Sequence, residues 1–241
     1  MFARRICSLA LFCFLLPVIF ACQATQGISL SQPPGEKTVL SSLAVLPFQG
    51  LKSDDPTARM VSCPLCGEVF QTEKLASSAE KVVEGMVLTS LREYKQITIV
   101  DSEQTAQVYE RVVASGPAAL PEILQKTGKE LNVDAILVGY VFRYRERKGY
   151  PYSVEKPASA AFDLHLVRVK DGAIVWRGAF DKTQSSLMED VFQLPSFFNR
   201  GGKWVTVKEL SADGLTAVLE TFPGINKEVV EVLTDDRNTG N

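Results

Sequence analysis

Apolar residues recur along this chain in short blocks, and their spacing predicts alternating strands and helices. Residues 43–48 are almost wholly apolar and predict a buried strand that ends near Pro47. Residues 97–100 predict a second strand. Between these strands, residues 77–94 place apolar side chains four positions apart, which is typical of an amphipathic helix packed on a core. This stripe consists of Val83, Val87 and Leu91.

Two further helices and the strongest strand of the chain follow. Asp101 or Ser102 is expected to cap a helix with one apolar face, and a third helix is expected from about 120 to 131. Residues 133–140 then form a nearly continuous apolar run. Such a run predicts a strand that is buried on both faces, as in a sheet covered by helices.

After Tyr140 the pattern changes to long strands joined by hairpins. The sequence Asp171-Gly172 predicts a tight hairpin turn. The remaining predicted elements are a strand to about 147, a turn at 148–151, a strand at 153–169, a strand after Gly172, a short helix near 186–192 and a last helix at 207–222.

This order predicts an α+β (mixed α/β) fold with one mixed β-sheet in the order β-α-β-α-α-β-β-β-α. The C-terminal half forms an antiparallel meander, and the helices pack on the sheet. We divide the chain into a signal peptide at 1–21, a lipidated flexible tether at 22–37, a periplasmic α/β domain at 38–225 and a flexible tail at 226–241.

The first 22 residues have the layout of a secretory signal. Arg4 and Arg5 supply positive charge, residues 6–20 are almost wholly apolar, and the small Ala21 precedes Cys22. The ending Ile-Phe-Ala-Cys resembles the lipobox of bacterial lipoproteins, in which the cysteine is acylated with diacylglycerol and palmitate and the preceding peptide is removed. An ordinary cleaved signal or a membrane-spanning helix is the alternative, although about 15 apolar residues are short for a span.

The lipobox also implies a location. Several acyl chains, at about 0.8 kcal/mol per buried methylene, anchor a protein stably. Gln23, rather than Asp, follows Cys22, and in proteins with a similar lipobox this implies transport to the outer membrane. We therefore expect a lipid-anchored protein on the periplasmic face of the outer membrane.

The composition of the mature chain excludes several functions. Without residues 1–21, 220 residues remain, with 24 basic and 28 acidic side chains and a net charge of −4. This balance lacks the basic footprint of nucleic-acid binding. The sequence contains no phosphate-binding Gly-Lys-Ser/Thr loop, dinucleotide fingerprint or His-Glu-x-x-His helix. We therefore expect no small-molecule substrate, no cofactor beyond the lipid on Cys22, and no enzymatic activity.

Cys63 and Cys66 are the only cysteines of the folded part, and they lie in the long patternless segment 49–75. Zinc normally takes four ligands, so an intrachain site would need His165 and a carboxylate, or two chains sharing one ion. A redox pair is expected at a helix start, whereas this pair lies some ten residues before one. We favour a disulfide that closes a small loop, with the metal and redox interpretations open.

His165 alternates with Leu164 and Leu166 on a predicted strand and shares a face with Asp163. A Ser/His/Asp unit can be drawn from these residue types, but no nucleophile elbow or oxyanion loop has a recognisable spacing. We therefore expect a hydrogen-bonded surface histidine and no catalytic residue.

Two segments have the composition of a protein-binding surface. The hairpin after Tyr140 gathers basic and aromatic residues, and the loop 195–204 combines aromatic residues with glycines. A solvated hairpin tip and a loop that caps the sheet edge are the respective alternatives. The candidate contact residues are Arg143, Arg145, Arg147, Tyr150, Tyr152, Phe197, Phe198 and Trp204.

The lipobox, the Ala-Val-Leu-Pro-Phe strand and the segments 138–140, 162–167 and 172–176 together resemble a group of bacterial envelope lipoproteins. The group includes the curli-secretion lipoprotein CsgG, the penicillin-binding-protein activator LpoB and the N-terminal domain of TolB-like proteins. The resemblance covers roughly residues 40–222 and implies a noncatalytic fold that acts through protein contacts. The chain departs from the group by its cysteine pair, and it lacks the membrane hairpins of the curli pore.

These observations predict a lipid-anchored outer-membrane lipoprotein whose periplasmic domain binds another envelope protein, or itself, as an assembly or regulatory factor. The alternative is an envelope thiol-redox or metal-binding module that uses Cys63 and Cys66.

Overall fold

The computed structural model describes residues 27–31, 40–53, 55, 57–73, 75–184 and 203–223. The strands are β1 (Gly27–Ser31), β2 (Ser42–Val45), β3 (Gln49–Gly50), β4 (Met60–Ser62), β5 (Val69–Gln71), β6 (Thr98–Val100), β7 (Ala135–Arg145), β8 (Lys148–Tyr150), β9 (Ser153–Lys156), β10 (Ser159–Arg168) and β11 (Ile174–Thr183). The helices are α1 (Ala79–Arg92), α2 (Ser102–Ala114), α3 (Leu120–Leu131) and α4 (Val207–Leu219).

The main sheet has seven strands in the order β1-β11-β10-β7-β2-β6, with β3 beside β7. β2 runs parallel to β6 and β7, whereas β7, β10, β11 and β1 are antiparallel neighbours. The succession β2, α1, β6, α2, α3, β7, β10, β11, α4 is the predicted element order. The predicted mixed α+β fold, with a meander in its C-terminal half, is confirmed.

Each face of the sheet carries its own core because successive residues of a strand point to opposite faces. Phe162 and Leu164 of β10 pack with α1 and α4 in one core. Ala161 and Val167 of the same strand pack in the other core, which is covered by α2, α3 and the hairpin formed by β4 and β5. The hairpin is held to the sheet by Phe70, whose ring stacks on Phe142 with 4.1 Å between centroids.

The N-terminal tether differs from the prediction. Residues 22–37 are predicted as flexible, but Gly27–Ser31 form β1, which pairs along its whole length with β11. The tether prediction is wrong for these five residues. Ile28 and Leu30 alternate with small residues, a strand pattern, and β11 would otherwise leave an open sheet edge.

Several predictions lie outside the described residues. They concern the signal peptide at 1–21, the acylated Cys22, the helix at 186–192, the aromatic residues Phe197 and Phe198, and the tail at 226–241. Within the described residues, none of the helices combines the length and the apolar character needed to cross a bilayer.

Candidate functional site

Cys63 and Cys66 lie in the turn that joins β4 to β5. The Cys63 N–H donates to the Glu68 carbonyl at 2.7 Å, and the Gly67 N–H donates to the Cys63 carbonyl at 2.9 Å. Gly67 has a φ of 75°, a left-handed conformation that costs glycine little because it has no Cβ. This tight turn brings the two sulfur atoms within 4.8 Å of each other, and both cysteines are free thiols.

Backbone amides of the turn point at both sulfur atoms. The N–H groups of Cys66 and Leu65 donate to Cys63 Sγ, and the N–H of Glu68 donates to Cys66 Sγ. Burial has the larger and opposite effect, because it raises the pKa of Cys63 to about 12 and also raises the pKa of Cys66. The turn therefore donates hydrogen bonds to both sulfur atoms, and the positive charge of Arg177 also acts to lower the pKa of Cys66, but burial outweighs these effects.

Asp163 and His165 lie on β10, directly beneath this turn, and both side chains have no exposed surface. Cys63 Sγ lies 3.7 Å from His165 Nε2, and Cys66 Sγ donates to Asp163 Oδ2 at 3.5 Å. His165 Nε2 and Asp163 Oδ2 are 3.4 Å apart. One ligand atom from each of the four residues lies within 4.8 Å of the others. We call these four residues the Cys–Asp–His cluster.

The prediction of a surface histidine is wrong, because the β4–β5 hairpin covers this face of the sheet and buries the His165 ring. Burial first, and the nearby positive charge of Arg177 second, lower the pKa of His165 to about 3. The imidazole is therefore neutral at pH 7. Its Nδ1 has no hydrogen-bond partner within the described residues, so the polar contacts of the ring are those that Nε2 makes inside the cluster.

Arg177 on β11 connects the cluster to the turn. Its Nε donates to Asp163 Oδ1 at 2.9 Å and to Oδ2 at 3.1 Å, and Nη2 donates to Oδ2 at 2.9 Å. Nη1 forms an ion pair with Glu68. Burial lowers the pKa of Arg177, but the hydrogen bonds to Asp163 outweigh it, so the pKa is raised. Burial raises the pKa of Asp163, and Arg177 opposes this rise.

The cluster does not have the order of a catalytic triad. In a triad, one ring nitrogen of the histidine contacts the nucleophile and the other contacts the acid. Here Cys63 and Asp163 both contact Nε2 of His165. The four side chains converge on one point, which is the geometry of a ligand set.

A groove of about 570 Å³ lies between β1 and the β4–β5 hairpin. Ala179 and Phe70 are among its lining residues, and Glu68 brings it close to the cluster. Four apolar side chains that are 41–52% exposed also line it: Ile28, Leu30, Met60 and Val69. Single exposed apolar residues are ordinary, but four around one groove are typical of a contact site.

The basic hairpin is less exposed than its composition suggests. Arg143 is 3% exposed; its Nε donates to Ser159 at 2.5 Å and its Nη2 pairs with Asp181. Arg145 is largely buried and pairs with Glu73. Arg143 Nη1 also donates to the Gln71 carbonyl at 3.1 Å, so both guanidinium groups hold the sheet and the 49–75 segment together.

The tip of the hairpin, in contrast, is open to solvent. Tyr150 and Tyr152 are 79% and 68% exposed, while Arg147 is half-buried. The Trp204 N–H donates to the Pro151 carbonyl at 2.7 Å. The structure thus brings Tyr150, Tyr152 and Trp204 to one tip, and it places the cysteine pair in a separate cluster with Asp163 and His165.

Sequence reasoning missed Arg177 and the groove. The sequence offers one signal for Arg177, which is a charged residue within a predicted strand of otherwise largely apolar character. The structure alone shows that its register partner on β10 is His165. The groove had no local signal, because β1, β4 and β5 come from distant parts of the chain.

No family model matches the chain, and no curated protein matches it. Similar solved structures include the PelC dodecamer from Paraburkholderia phytofirmans, with 14% identity, a TM-score of 0.45 and coverage of 83% of this chain and 99% of that one. The LpoB C-terminal domain from Escherichia coli has 11% identity, a TM-score of 0.34 and coverage of 68% and 90%. Lipoprotein GNA1162 from Neisseria meningitidis has 13% identity, a TM-score of 0.37 and coverage of 66% and 96%.

LpoB also belongs to the group that the sequence resembles, whereas the resemblance to CsgG and to TolB-like proteins stays a prediction. A likeness at these identities and TM-scores concerns the path of the backbone and does not extend to function.

Proposed function

We propose that this chain is a lipid-anchored envelope protein that binds another envelope protein, or a second copy of itself, without catalysing a reaction. The lipobox ending at Cys22 supports the anchor, and Gln23 supports the outer membrane as its destination. The groove beside β1, with its four exposed apolar side chains, is the observation that carries the proposed protein binding.

The position of the groove suits a protein ligand. β1 pairs with β11 on one side, and no strand among the described residues pairs with its other side. Its outer edge therefore offers backbone N–H and C=O groups to an added strand. Ile28 and Leu30 of the same strand, together with Met60 and Val69 across the groove, offer apolar contacts to the side chains of that strand.

The chemistry of the cluster supports a role without catalysis. Since Cys63 and Asp163 contact the same nitrogen of His165, the cluster lacks the sequence of nucleophile, base and orienting acid that covalent hydrolysis uses.

Site-specific photocrosslinking in intact envelopes tests the proposal. A photoreactive amino acid replaces Met60 or Val69 at the groove, or Val82 or Val113 as matched controls. The controls are apolar residues on α1 and α2 that are 37% and 43% exposed. We expect both groove positions to give the same adduct, either a dimer of this chain or one envelope protein identified by mass spectrometry. The absence of an adduct at the groove, or identical adducts at the control positions, would refute the proposal.

A further inference from the structure

We infer that Cys63, Cys66, Asp163 and His165 form a zinc site that fastens the β4–β5 hairpin to the main sheet. This inference does not depend on partner binding at the groove. It extends the cysteine pair, which alone is an incomplete site, to the four ligands that zinc normally takes.

The distances between the ligand atoms are those of a tetrahedral site. With Zn–S at about 2.3 Å and Zn–N and Zn–O at about 2.1 Å, ligand atoms lie about 3.4–3.8 Å from one another. The three pairs between Cys63 and His165, Cys66 and Asp163, and His165 and Asp163 are 3.7, 3.5 and 3.4 Å apart. The remaining pairs lie within 4.8 Å. An ion at the centre would therefore need only small shifts of the side chains.

The donor set selects zinc over hard cations. Two thiolates and an imidazole suit zinc, whereas magnesium and calcium prefer sites built of oxygen ligands. The buried His165 ring is held with Nε2 facing Cys63 Sγ at 3.7 Å, so an imidazole nitrogen is directed at the sulfur ligands.

Arg177 supplies an outer-shell contact to one ligand of the site. Arg177 Nε donates to Asp163 Oδ1 at 2.9 Å and Nη2 donates to Oδ2 at 2.9 Å, so Oδ2 would bind the metal through its second lone pair. Such outer-shell contacts orient first-shell ligands. Two thiolates and the carboxylates of Asp163 and Glu68 carry four negative charges, of which Zn²⁺ and Arg177 would balance three. The ion would thus add two positive charges beside the sulfur atoms, where Arg177 is already engaged by Asp163 and Glu68.

A disulfide between Cys63 and Cys66 fits these surroundings less well. It would account for the two sulfur atoms alone, and it would not explain why Asp163 Oδ2 and His165 Nε2 lie 3.5 and 3.7 Å from them. The placement of Asp163 and His165 beneath the cysteine pair therefore favours the metal over the disulfide that the sequence alone suggests.

The expected role of the ion is structural. All four ligands come from the protein, three of them are buried, and a closed tetrahedral set leaves no position for a substrate. β4 and β5 have three residues each and pair only with each other among the described strands. A two-stranded hairpin is marginal alone, and the ion would join it directly to β10.

The test uses the full chain, purified from envelopes in detergent under anaerobic conditions, with metal content measured by mass spectrometry. We expect one zinc per chain and, after exchange with Co²⁺, the visible d–d and thiolate charge-transfer bands of tetrahedral cobalt. Asp163→Asn should remove the metal. The matched control is Asp181→Asn, because Asp181 pairs with Arg143 as Asp163 pairs with Arg177, and this variant should keep it.

A second variant tests the site in case Asp163→Asn does not fold. Cys66 is the exposed ligand, so Cys66→Ser should fold and should bind zinc with an affinity lowered by more than about 100-fold, beyond the 10–100-fold typical of outer-shell changes. Three results would overturn the inference: a Cys63–Cys66 disulfide in the anaerobic protein, reduced thiols that bind no added zinc, or one zinc shared by two chains.

Discussion

The ring of Phe48 lies over the backbone of Gly139, so that a Cβ at position 139 would be 2.6 Å from three ring carbons. Phe48 follows β2 and precedes β3, and both of these short strands pair with β7, to which Gly139 belongs. The missing side chain at position 139 lets the chain cross closely over β7 between the two strands.

Gly139→Ala should therefore destabilise the domain by about 1–3 kcal/mol, the usual cost of overpacking a core. Gly85→Ala is the control, since a Cβ there meets no atom within 4 Å. Because Gly85 lies inside α1, this control should be stabilising by up to about 1 kcal/mol. Denaturant unfolding measures both changes, and equal effects of the two substitutions would contradict the role of Phe48.

Asp134 makes the free energy of unfolding depend on pH in the acidic range. Burial raises its pKa, but hydrogen bonds from the Ser41 N–H, the Ser42 N–H and the Ser42 hydroxyl outweigh burial and hold the pKa below its ordinary value. A group whose pKa is lower in the folded state stabilises it above the unfolded pKa, and loses that contribution as the pH falls through the folded pKa.

Asp134→Asn should accordingly cost about 1 kcal/mol at pH 7. The difference in unfolding free energy between the two proteins should shrink below about pH 4, the ordinary range for an aspartate. Denaturant unfolding at a series of pH values gives this difference directly, and a gap that stays constant down to pH 2.5 would argue against the assignment.

Arg177 should tune metal affinity as an outer-shell residue. Lysine lacks the fork that donates to both Asp163 oxygens, so Arg177→Lys should weaken zinc binding by about 10–100-fold. Arg143→Lys alters the comparable pair with Asp181 and should leave zinc affinity unchanged. Competition with a chelator measures both affinities, and a similar loss in the two variants would indicate a general effect on the sheet.

Removal of zinc should loosen one hairpin selectively. After chelation, we expect hydrogen exchange in residues 60–71 to accelerate by at least about 10-fold, because the hairpin loses its link to β10. The β8–β9 hairpin is the internal control, since it is also two-stranded and does not contribute ligands to the cluster. Acceleration in both hairpins, or in neither, would show that the ion does not fasten the β4–β5 hairpin to the sheet.

Cys22 should carry the membrane anchor. Replacement of Cys22 by Ala removes the acylated sulfur, so the protein should move from the membrane fraction to the soluble one. Mass analysis of the N-terminal peptide of the unaltered protein should show cysteine with diacylglycerol and a further acyl chain. An unmodified N-terminus would refute the proposed anchor.

The regular part of the fold follows from local pattern. The helix predicted at 120–131 coincides with α3, and Asp101 caps α2 by accepting a hydrogen bond from the Gln104 N–H at 3.0 Å. β4 and β5 were not predicted because three residues are too few to show the alternation of a strand. β1 was not predicted because it is exposed along its whole length. Its strand conformation depends on pairing with β11, which lies some 150 residues later in the chain.

The cluster was only partly predictable. The cysteine spacing and the shared face of Asp163 and His165 are visible in the sequence, and so is the need for a histidine and a carboxylate. Which surface covers that face is a matter of tertiary packing, and the β4–β5 hairpin does so from about 100 residues away. Arg143 was predicted to be exposed for the same reason, because the sequence does not show that Asp181, a distant residue along the chain, pairs with it.

The early start of β1 limits how far the domain can lie from a membrane. β1 begins five residues after Cys22, and five residues span at most about 18 Å even when fully extended. An acylated Cys22 would thus hold the open side of the sheet close to the lipid headgroups. The molecules best placed to reach the groove would then be those already resident at the same bilayer surface.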